Sequence, residues 1–196
     1  MRVPVLLVCV LALAGCSSGP GGKATVSRAE LSGSVLQPKD IGPGWSQFAE
    51  GKQVRVDAHA GPRSDSTRFG RVEGWIARYR RLAAAGPGPA VVESRADLFK
   101  DTGGAKKDLD AYRKELSAGI PGSGATVRLL HAPRIGEGTV AGRLRQGSLV
   151  FLTVAWRRAN ATGSITVEGR AATTGLADAL VLVRRQDRRL AAAARG

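Results

Sequence analysis

The sequence predicts an α+β domain in which helices cover a mainly antiparallel sheet, arranged as a two-layer sandwich. Strand-like alternation recurs through residues 72–156, one amphipathic helix pattern divides these strands into two groups, and a second helix pattern closes the chain. A length of 196 residues suits one ordinary domain, and 43% hydrophobic residues exclude a fully disordered chain.

The first part of the domain is predicted as a short helix followed by turns. Residues 28–36 place Leu31, Val35 and Leu36 on one apolar side of that helix. Residues 37–45 are dense in turn-forming residues and lead into residues 45–48. We interpret residues 51–69 as a loop with a short strand at residues 54–56.

The side-chain pattern of residues 72–81 fits both the two-residue period of a strand and the period of a helix. Trp75, Ala77 and Tyr79 alternate with more polar neighbours, which favours a strand, although the Arg and Ala content leaves a helix open. The Gly-Pro-Gly-Pro run at residues 86–89 ends this segment, and a second strand is expected at residues 90–99.

A helix is predicted to begin near Asp101, which is an N-cap candidate, and to end at the glycines and proline of residues 119–122. Its apolar side has i, i+3, i+7 spacing and consists of Leu109, Tyr112 and Leu116.

Three strands are expected after that helix, at residues 126–131, 139–146 and 149–156, and Gly147 marks a hairpin between the last two. The third is the most apolar segment after the N-terminal region, so we expect it to be central and at least partly covered on both faces. Leu152→Ala and Phe151→Ala should then each cost ~2–5 kcal/mol.

The end of the chain is predicted as a turn at residues 160–163 and a helix at residues 174–194. The core side of that helix is expected to consist of Leu176, Leu180, Val183 and Leu190.

The N-terminus has the features of an export signal: Arg2 precedes an apolar run at residues 5–14, which is shorter than the ~20 residues of a membrane-spanning helix. The tetrapeptide Leu13-Ala14-Gly15-Cys16 resembles the lipobox of bacterial lipoproteins. The resemblance implies cleavage between Gly15 and Cys16 and attachment of a diacylglycerol to the Cys16 thiol. The alternative is an ordinary secretory signal with a chance cysteine.

These features divide the chain into a lipoprotein signal peptide at residues 1–15, a lipidated Cys16 with a flexible tether at residues 16–27, and a single extracytoplasmic domain at residues 28–196. The expected location is the cell envelope, on the extracytoplasmic face of the membrane.

The Leu36-Gln37-Pro38-Lys39-Asp40-Ile41-Gly42-Pro43-Gly44-Trp45 segment resembles the opening of extracytoplasmic domains in actinobacterial surface lipoproteins. Similar domains form the outer, sensor-like part of some mycobacterial receptor kinases. The order of several later segments is also similar to the order in these domains. The segments are residues 94–99, 134–138 and 146–156 and the closing basic helix. The resemblance implies an α+β domain on the outer face of the membrane and transfers no catalytic residue.

Little in the composition indicates catalysis, a metal or a cofactor. Both cysteines, Cys9 and Cys16, precede the domain, and the two histidines are too few for a Cys/His zinc site. Neither His59 nor His131 has a recognisable nucleophile beside it, and no Gly-x-Ser-x-Gly motif occurs.

Paired carboxylates give no stronger indication of a catalytic site. Asp97 and Asp101 are interpreted as capping the start of the helix near residue 101, while Asp108 and Asp110 point to different sides of it. We therefore expect a non-enzymatic binding or sensor-like domain with no cofactor and no metal. An envelope-assembly scaffold and an envelope hydrolase are the alternatives.

A formal net charge of +14 is the remaining feature of the sequence that bears on possible partners. On the last helix Arg184, Arg185, Arg188 and Arg189 form one cationic flank, for which we hypothesise contact with anionic lipid or a cell-wall polymer. The alternative is a merely solvated surface. Nucleic acid is not an expected partner, because an exported protein rarely meets it and aromatic residues are only 5% of the chain.

The three tryptophans Trp45, Trp75 and Trp156 are interpreted as core or rim residues.

Overall fold

The computed structural model describes residues 25–53, 67–82, 87–119 and 124–195. The strands are β1 (Trp45–Lys52), β2 (Arg71–Arg81), β3 (Val91–Phe99), β4 (Thr126–Leu130), β5 (Thr139–Gln146), β6 (Leu149–Arg158) and β7 (Ala161–Arg170). The helices are α1 (Arg28–Leu31), α2 (Pro38–Ile41), α3 (Thr102–Ala118) and α4 (Leu176–Ala193). The strands form one seven-stranded sheet in the order β1-β2-β3-β7-β6-β5-β4.

All neighbouring strands in this sheet are antiparallel, which confirms the predicted α+β class. Residues 72–81 belong to β2, so the strand interpretation is confirmed over the helix. The hairpin between β5 and β6 is also confirmed, and Gly147 at its turn has a φ of +58°, which glycine adopts without a steric penalty.

The helices are divided between the two faces of the sheet rather than collected on one. On β6, Leu152 points to the face that carries α4, whereas Ala155 points to the opposite face and packs near Leu109 of α3. The alternation of side chains along a strand produces this division. The result is a sheet with α3 on one side and α4 on the other.

The larger core lies between the sheet and α4. Leu152, Val154 and Trp156 of β6 are buried there, and Val183 and Leu190 of α4 pack in the same cluster. The predicted core side of the last helix is therefore confirmed at Val183 and Leu190, while Leu176 and Leu180 are partly buried against the same cluster.

The segment that contains α1 and α2 completes this layer. Leu31, Val35 and Leu36 are fully buried, as the sequence predicts. Val26, which lies within the predicted tether at residues 16–27, is also buried, and its backbone N–H donates to Asn160 Oδ1 at 2.8 Å.

A buried polar network fixes this segment to α4 and β3. Ser94 Oγ accepts a hydrogen bond from the Leu36 backbone N–H at 2.8 Å and donates to Gln186 Oε1 at 2.9 Å. The Tyr79 hydroxyl donates to the Leu36 carbonyl at 2.7 Å. Because each polar atom of this network has a hydrogen-bond partner, Gln186 can be buried without the free-energy cost of an unpaired polar group.

Two strands were not anticipated. The predicted turn at residues 160–163 is wrong beyond Asn160, because β7 begins at Ala161 and becomes the central strand of the sheet. Trp45–Lys52 is the edge strand β1 rather than the end of a turn followed by a loop. The strand predicted at residues 54–56 lies outside the described residues.

No helix within the described ranges has the length and apolar character that crossing a membrane requires.

Candidate functional site

Helix α3 covers only part of its face of the sheet. It packs on the β4–β5 side, where Leu116 approaches Gly142 so closely that an ideal Cβ at this glycine would lie 2.6 Å from Leu116 Cδ1. Leu109 meets Val140 and Ala155 in the same contact. The other part of this face, towards β1, β2 and β3, carries a shallow groove.

We call this feature the open groove. It has a volume of about 300 Å³. Its lining comes from five strands and consists of Phe48, Arg78, Val91, Glu93, Phe151, Thr166 and Glu168.

The register of the sheet explains why these side chains converge. Phe151 lies opposite Glu168, which lies opposite Val91, so these three form one cross-strand row. Glu93 of the next row is paired with both Thr166 and Arg78. Residues directly opposite each other in an antiparallel sheet share a face, and therefore distant segments of the chain line one groove.

Directional hydrogen bonds fix the middle of the groove. Arg78 Nε donates to Glu93 Oε2 at 2.8 Å, and Arg78 Nη2 lies 2.8 Å from the same oxygen. The hydroxyl oxygens of Thr153 and Thr166 are 2.8 Å apart. The groove thus contains a cross-strand ion pair and the hydroxyl of Thr166 beside apolar surface.

Aromatic rings stand at the two ends of the groove. The pairing of β1 with β2 is irregular between Gln47 and Ala49, and Phe48 within this irregularity is 48% exposed. Phe151 of β6 is half-buried. Two rings with an ion pair between them can hold an amphipathic ligand by apolar contact and by charge-assisted hydrogen bonds.

A buried cluster of charges lies beside the groove, on the same face and beneath α3. Arg95 Nε donates to Asp97 Oδ2 at 2.6 Å, and Arg71 Nε lies 3.4 Å from Asp97 Oδ1. Arg71 Nη2 lies 3.8 Å from Asp108 Oδ1, and the Thr162 hydroxyl donates to Asp108 Oδ2 at 3.1 Å. This cluster joins α3 to β2, β3 and β7.

The structure shows which of the predicted roles of the aspartates are correct. Asp101 caps α3, because its Oδ1 accepts from the Gly104 N–H at 2.7 Å. Asp97 does not cap the helix; it is a buried strand residue that pairs with arginines. Asp108 is buried whereas Asp110 is exposed and pairs with Lys106, in agreement with their predicted separation.

Sequence reasoning did not anticipate either the open groove or the buried cluster. Their residues come from β1, β2, β3, β6, β7 and α3, and no two of the buried carboxylates are neighbours in a recognisable motif. One available signal was Gly74, where an ideal Cβ would lie 2.6 Å from Asp97 Oδ1. A glycine within a strand pattern can mark such a close approach.

The residues predicted to carry the lipid, Gly15 and Cys16, lie outside the described residues, as does His59. His131 is exposed immediately after β4 and does not line the open groove.

The four arginines of α4 are separated by the structure into two pairs. Arg189 donates to the carboxylate of Asp40 at 2.5 and 3.2 Å, and Arg185 donates to the Asp40 carbonyl. Arg184 and Arg188 are exposed. Half of the predicted cationic flank thus holds α2 against α4.

Electrostatics at Asp40 reflect this contact. Burial by itself raises the pKa of this carboxyl. Hydrogen bonds from Arg189 and from the Gln37 N–H lower the pKa, as do the positive charges of Arg189 and Lys39, and together these effects exceed that of burial. The pKa of Asp40 therefore lies below its ordinary value.

The tryptophans are core and rim residues, as interpreted. Trp156 is fully buried, whereas Trp45 and Trp75 are partly buried. The Arg81 guanidinium lies 4.9 Å from the centroid of the Trp45 ring, and Trp75 Nε1 donates to Glu50 Oε1 at 3.4 Å.

Within the described ranges, no three or more His, Cys, Asp or Glu side chains are grouped so that they could hold a metal ion.

Comparisons with known proteins bear on the fold. No family model matches the chain, and no curated protein matches its sequence. The chain is similar in structure to the extracellular domain of PknH from Mycobacterium tuberculosis, with a TM-score of 0.60 and 10% sequence identity over 87% of this chain and 100% of that one. At this identity the likeness concerns the fold. The chain thus shares the fold of a mycobacterial extracellular domain, in line with the resemblance seen in its sequence.

Proposed function

We propose that this protein is a lipid-anchored, extracytoplasmic domain of the binding or sensor-like kind, that it is not an enzyme, and that its ligand binds in the open groove. The observation that carries the proposal is the convergence of two aromatic side chains and a cross-strand ion pair on a part of the sheet that α3 leaves uncovered.

The chemistry of the groove favours binding over catalysis. Its lining side chains offer apolar contact from Phe48, Val91 and Phe151 and hydrogen bonds from the Arg78–Glu93 pair, but no histidine, cysteine or serine is among them. A volume of about 300 Å³ is at the lower end of ligand pockets. We infer a small amphipathic ligand, with one apolar face and several hydrogen-bonding groups.

Three observations support the extracytoplasmic, anchored location. The lipobox-like tetrapeptide ends at Cys16, the fold is similar to that of an extracellular domain, and Val26 is the first buried residue in the described part of the chain. A flexible tether of about ten residues has a root-mean-square reach of ~17 Å. The domain would therefore lie close to the membrane surface while the groove stays open to the outside.

The groove is tested by a thermal-shift screen of the full-length protein in detergent against amphipathic metabolites extracted from bacterial envelopes. We expect at least one compound to raise the Tm of the wild type, and Phe48→Ala to abolish that shift. Leu149→Ala is the matched control, because Leu149 is similarly exposed at 42% but does not line the groove.

A compound whose Tm shift survives in Phe48→Ala and Phe151→Ala alike would bind elsewhere and would exclude the groove as its site. Turnover of the compound in the same samples would contradict the non-enzymatic assignment.

A further inference from the structure

Two arginines face each other across the β4–β5 ladder. Arg128 lies directly opposite Arg143, and Arg145, two residues further along β5, shares their face. Arg143 is in turn opposite Leu152, which is buried on the α4 side, so all three side chains lie on that side of the sheet. We call these residues the β4–β5 arginine cluster.

No carboxylate of the described residues forms a salt bridge with this cluster. Between residues 124 and 167 the sequence contains only one acidic residue, Glu137. Its side chain is engaged elsewhere, at 2.5 Å from Arg157 Nη1 and 2.7 Å from the Ala159 backbone N–H. Within the described ranges the cluster makes no ion pair, and Arg145 Nε donates only to the Gly147 carbonyl, at 3.0 Å.

Several other arginines of the protein, unlike those of the cluster, form ion pairs with carboxylates. Arg78, Arg95, Arg158 and Arg189 each pair with a carboxylate within 2.8 Å. Like charges directly opposite each other in an antiparallel pair are destabilising. An unbalanced pair of arginines at Arg128 and Arg143 thus weakens the isolated sheet edge and favours an anion from outside.

Helix α4 adds a fourth positive charge on the same side. Leu180, Arg184 and Asp187 follow i, i+4, i+7 spacing and so share one flank of the helix. Asp187 pairs with Arg158 of β6, so this flank faces the β6 side, where β5 and β4 follow in the sheet. The exposed Arg184 therefore projects towards the arginine cluster.

The cluster lies far from the point at which the proposed tether enters the domain. The tether enters the domain at Val26, which is bonded to Asn160 in the turn after β6. Leu152, opposite Arg143, precedes Asn160 by eight residues of nearly extended chain, or about 26 Å. The cluster therefore lies away from the anchored end of the domain.

We propose that the β4–β5 arginine cluster, with Arg184, binds a phosphate-bearing polymer of the cell envelope. Guanidinium groups pair bidentately with phosphate oxygens, and three or four of them side by side match a ligand that carries successive phosphates. Membrane phospholipid is the less favoured source because of the distance to the anchored end. The cellular identity of the polymer rests on the proposed extracytoplasmic location, but the binding chemistry does not.

The test measures binding of sodium polyphosphate to the full-length protein in detergent, in low salt, by calorimetry. The double variant R128Q/R143Q should bind polyphosphate with a Kd at least about tenfold higher than that of the wild type, since hydrogen bonds to charged groups are among the strongest in proteins. R28Q/K100Q is the matched control: both side chains are exposed, the charge change is the same, and they lie at the tethered end of the sheet. We expect it to retain wild-type affinity within about twofold.

Stability gives a second readout that needs no ligand. At low salt R128Q and R143Q should each raise the Tm by about 1–4 °C, because each removes a like-charge pair. Polyphosphate should then raise the Tm of the wild type more than that of either variant. If the double variant does not fold, the exposed Arg145 allows the same comparison through R145Q.

Equal weakening of polyphosphate binding in R128Q/R143Q and in R28Q/K100Q would overturn the proposal, because binding would follow net charge alone. Cluster-dependent binding to phosphatidylglycerol vesicles without any binding to polyphosphate would also overturn it, in favour of the membrane. Polyphosphate binding by a protein that is never acylated would refute only the proposed location.

Discussion

At the scale of single residues, glycines and other small side chains allow the close approaches on which the sheet depends. An ideal Cβ at Gly163 of β7 would lie 2.6 Å from Cζ2 of the fully buried Trp156. Trp156 has no room to move, because it is packed in the core between the sheet and α4. The size of one side chain in the central strand thus determines whether the largest core residue fits.

Gly163→Ala should therefore lower the free energy of unfolding by about 1–3 kcal/mol, the usual cost of overpacking a core. Urea denaturation followed by tryptophan fluorescence measures it. Gly33→Ala serves as the control, because a Cβ at Gly33 meets nothing within 4 Å and its φ is not in the left-handed region. An unchanged midpoint for Gly163→Ala would mean that Trp156 can be displaced.

At the scale of elements, the two faces of β6 differ in what covers them. Leu152 is 3% exposed beneath α4, whereas Phe151 is half-buried in the open groove, where no described helix covers it. Both faces of this strand are thus at least partly covered, as expected, but the face that carries Phe151 is covered less. The cause is the position of α3, which packs on the β4–β5 side of its face.

Leu152→Ala should cost ~2–5 kcal/mol of stability, as is usual for a buried leucine. Phe151→Ala should cost clearly less, because its ring already contacts solvent in the folded state. Chemical denaturation of both variants at pH 7 checks the difference. Equal losses would show that something covers the groove in solution.

The contact between α2 and α4 should make stability depend on pH. The pKa of Asp40 is lowered in the folded protein, so its contribution is fully present above the ordinary unfolded value of about 3.9 and is lost as the pH falls towards the folded pKa. Asp40→Asn should destabilise the protein at pH 7, and its deficit should shrink below about pH 4.

Unfolding free energies of wild type and Asp40→Asn between pH 7 and pH 2.5 measure this effect. Asp110→Asn is the control, since Asp110 pairs with Lys106 on an exposed surface of α3. A constant difference between wild type and Asp40→Asn across this range would show that the Arg189 contact does not depend on the charge of Asp40.

At the scale of the whole molecule, the fold places the buried Val26 at one end of the sheet and the arginine cluster towards the other. Val26 is held by Asn160, whose side chain also donates to the Phe99 carbonyl at 3.2 Å. In the proposed anchored form, the end of the domain at Val26 is therefore the one attached to the membrane.

The proposed anchor is tested by fatty-acid labelling in a bacterial host. Wild type should incorporate the label and partition into the detergent phase, because two acyl chains give stable membrane residence. Cys16→Ala should lose both properties, and Cys9→Ala should retain both. A wild-type protein without label would contradict the lipoprotein assignment and leave the fold untouched.

Much of the fold was predictable from local pattern. The hairpin at Gly147, the strands at residues 126–156 and the helix capped by Asp101 all have periodicity or turn residues that act within a few positions of each other. The strand β7 was not predictable in this way. Eight of its ten residues, all but Ile165 and Val167, are small or polar, and Trp156 and Asp108 of α3 approach the strand from its two sides.

Residues that are close along the chain account for the fold class, most strand positions, the core side of α4 and the motif at Cys16, so these features can be predicted from the sequence. The three-dimensional fold was needed to show which strands are neighbours, that α3 and α4 lie on opposite faces, and that Arg78, Glu93 and Phe151 meet in one groove. It also separated Arg185 and Arg189, which bind Asp40, from the exposed Arg184 and Arg188. The physical reason is that such contacts depend on strand order and register, and these follow from burial of the whole sheet rather than from any local pattern.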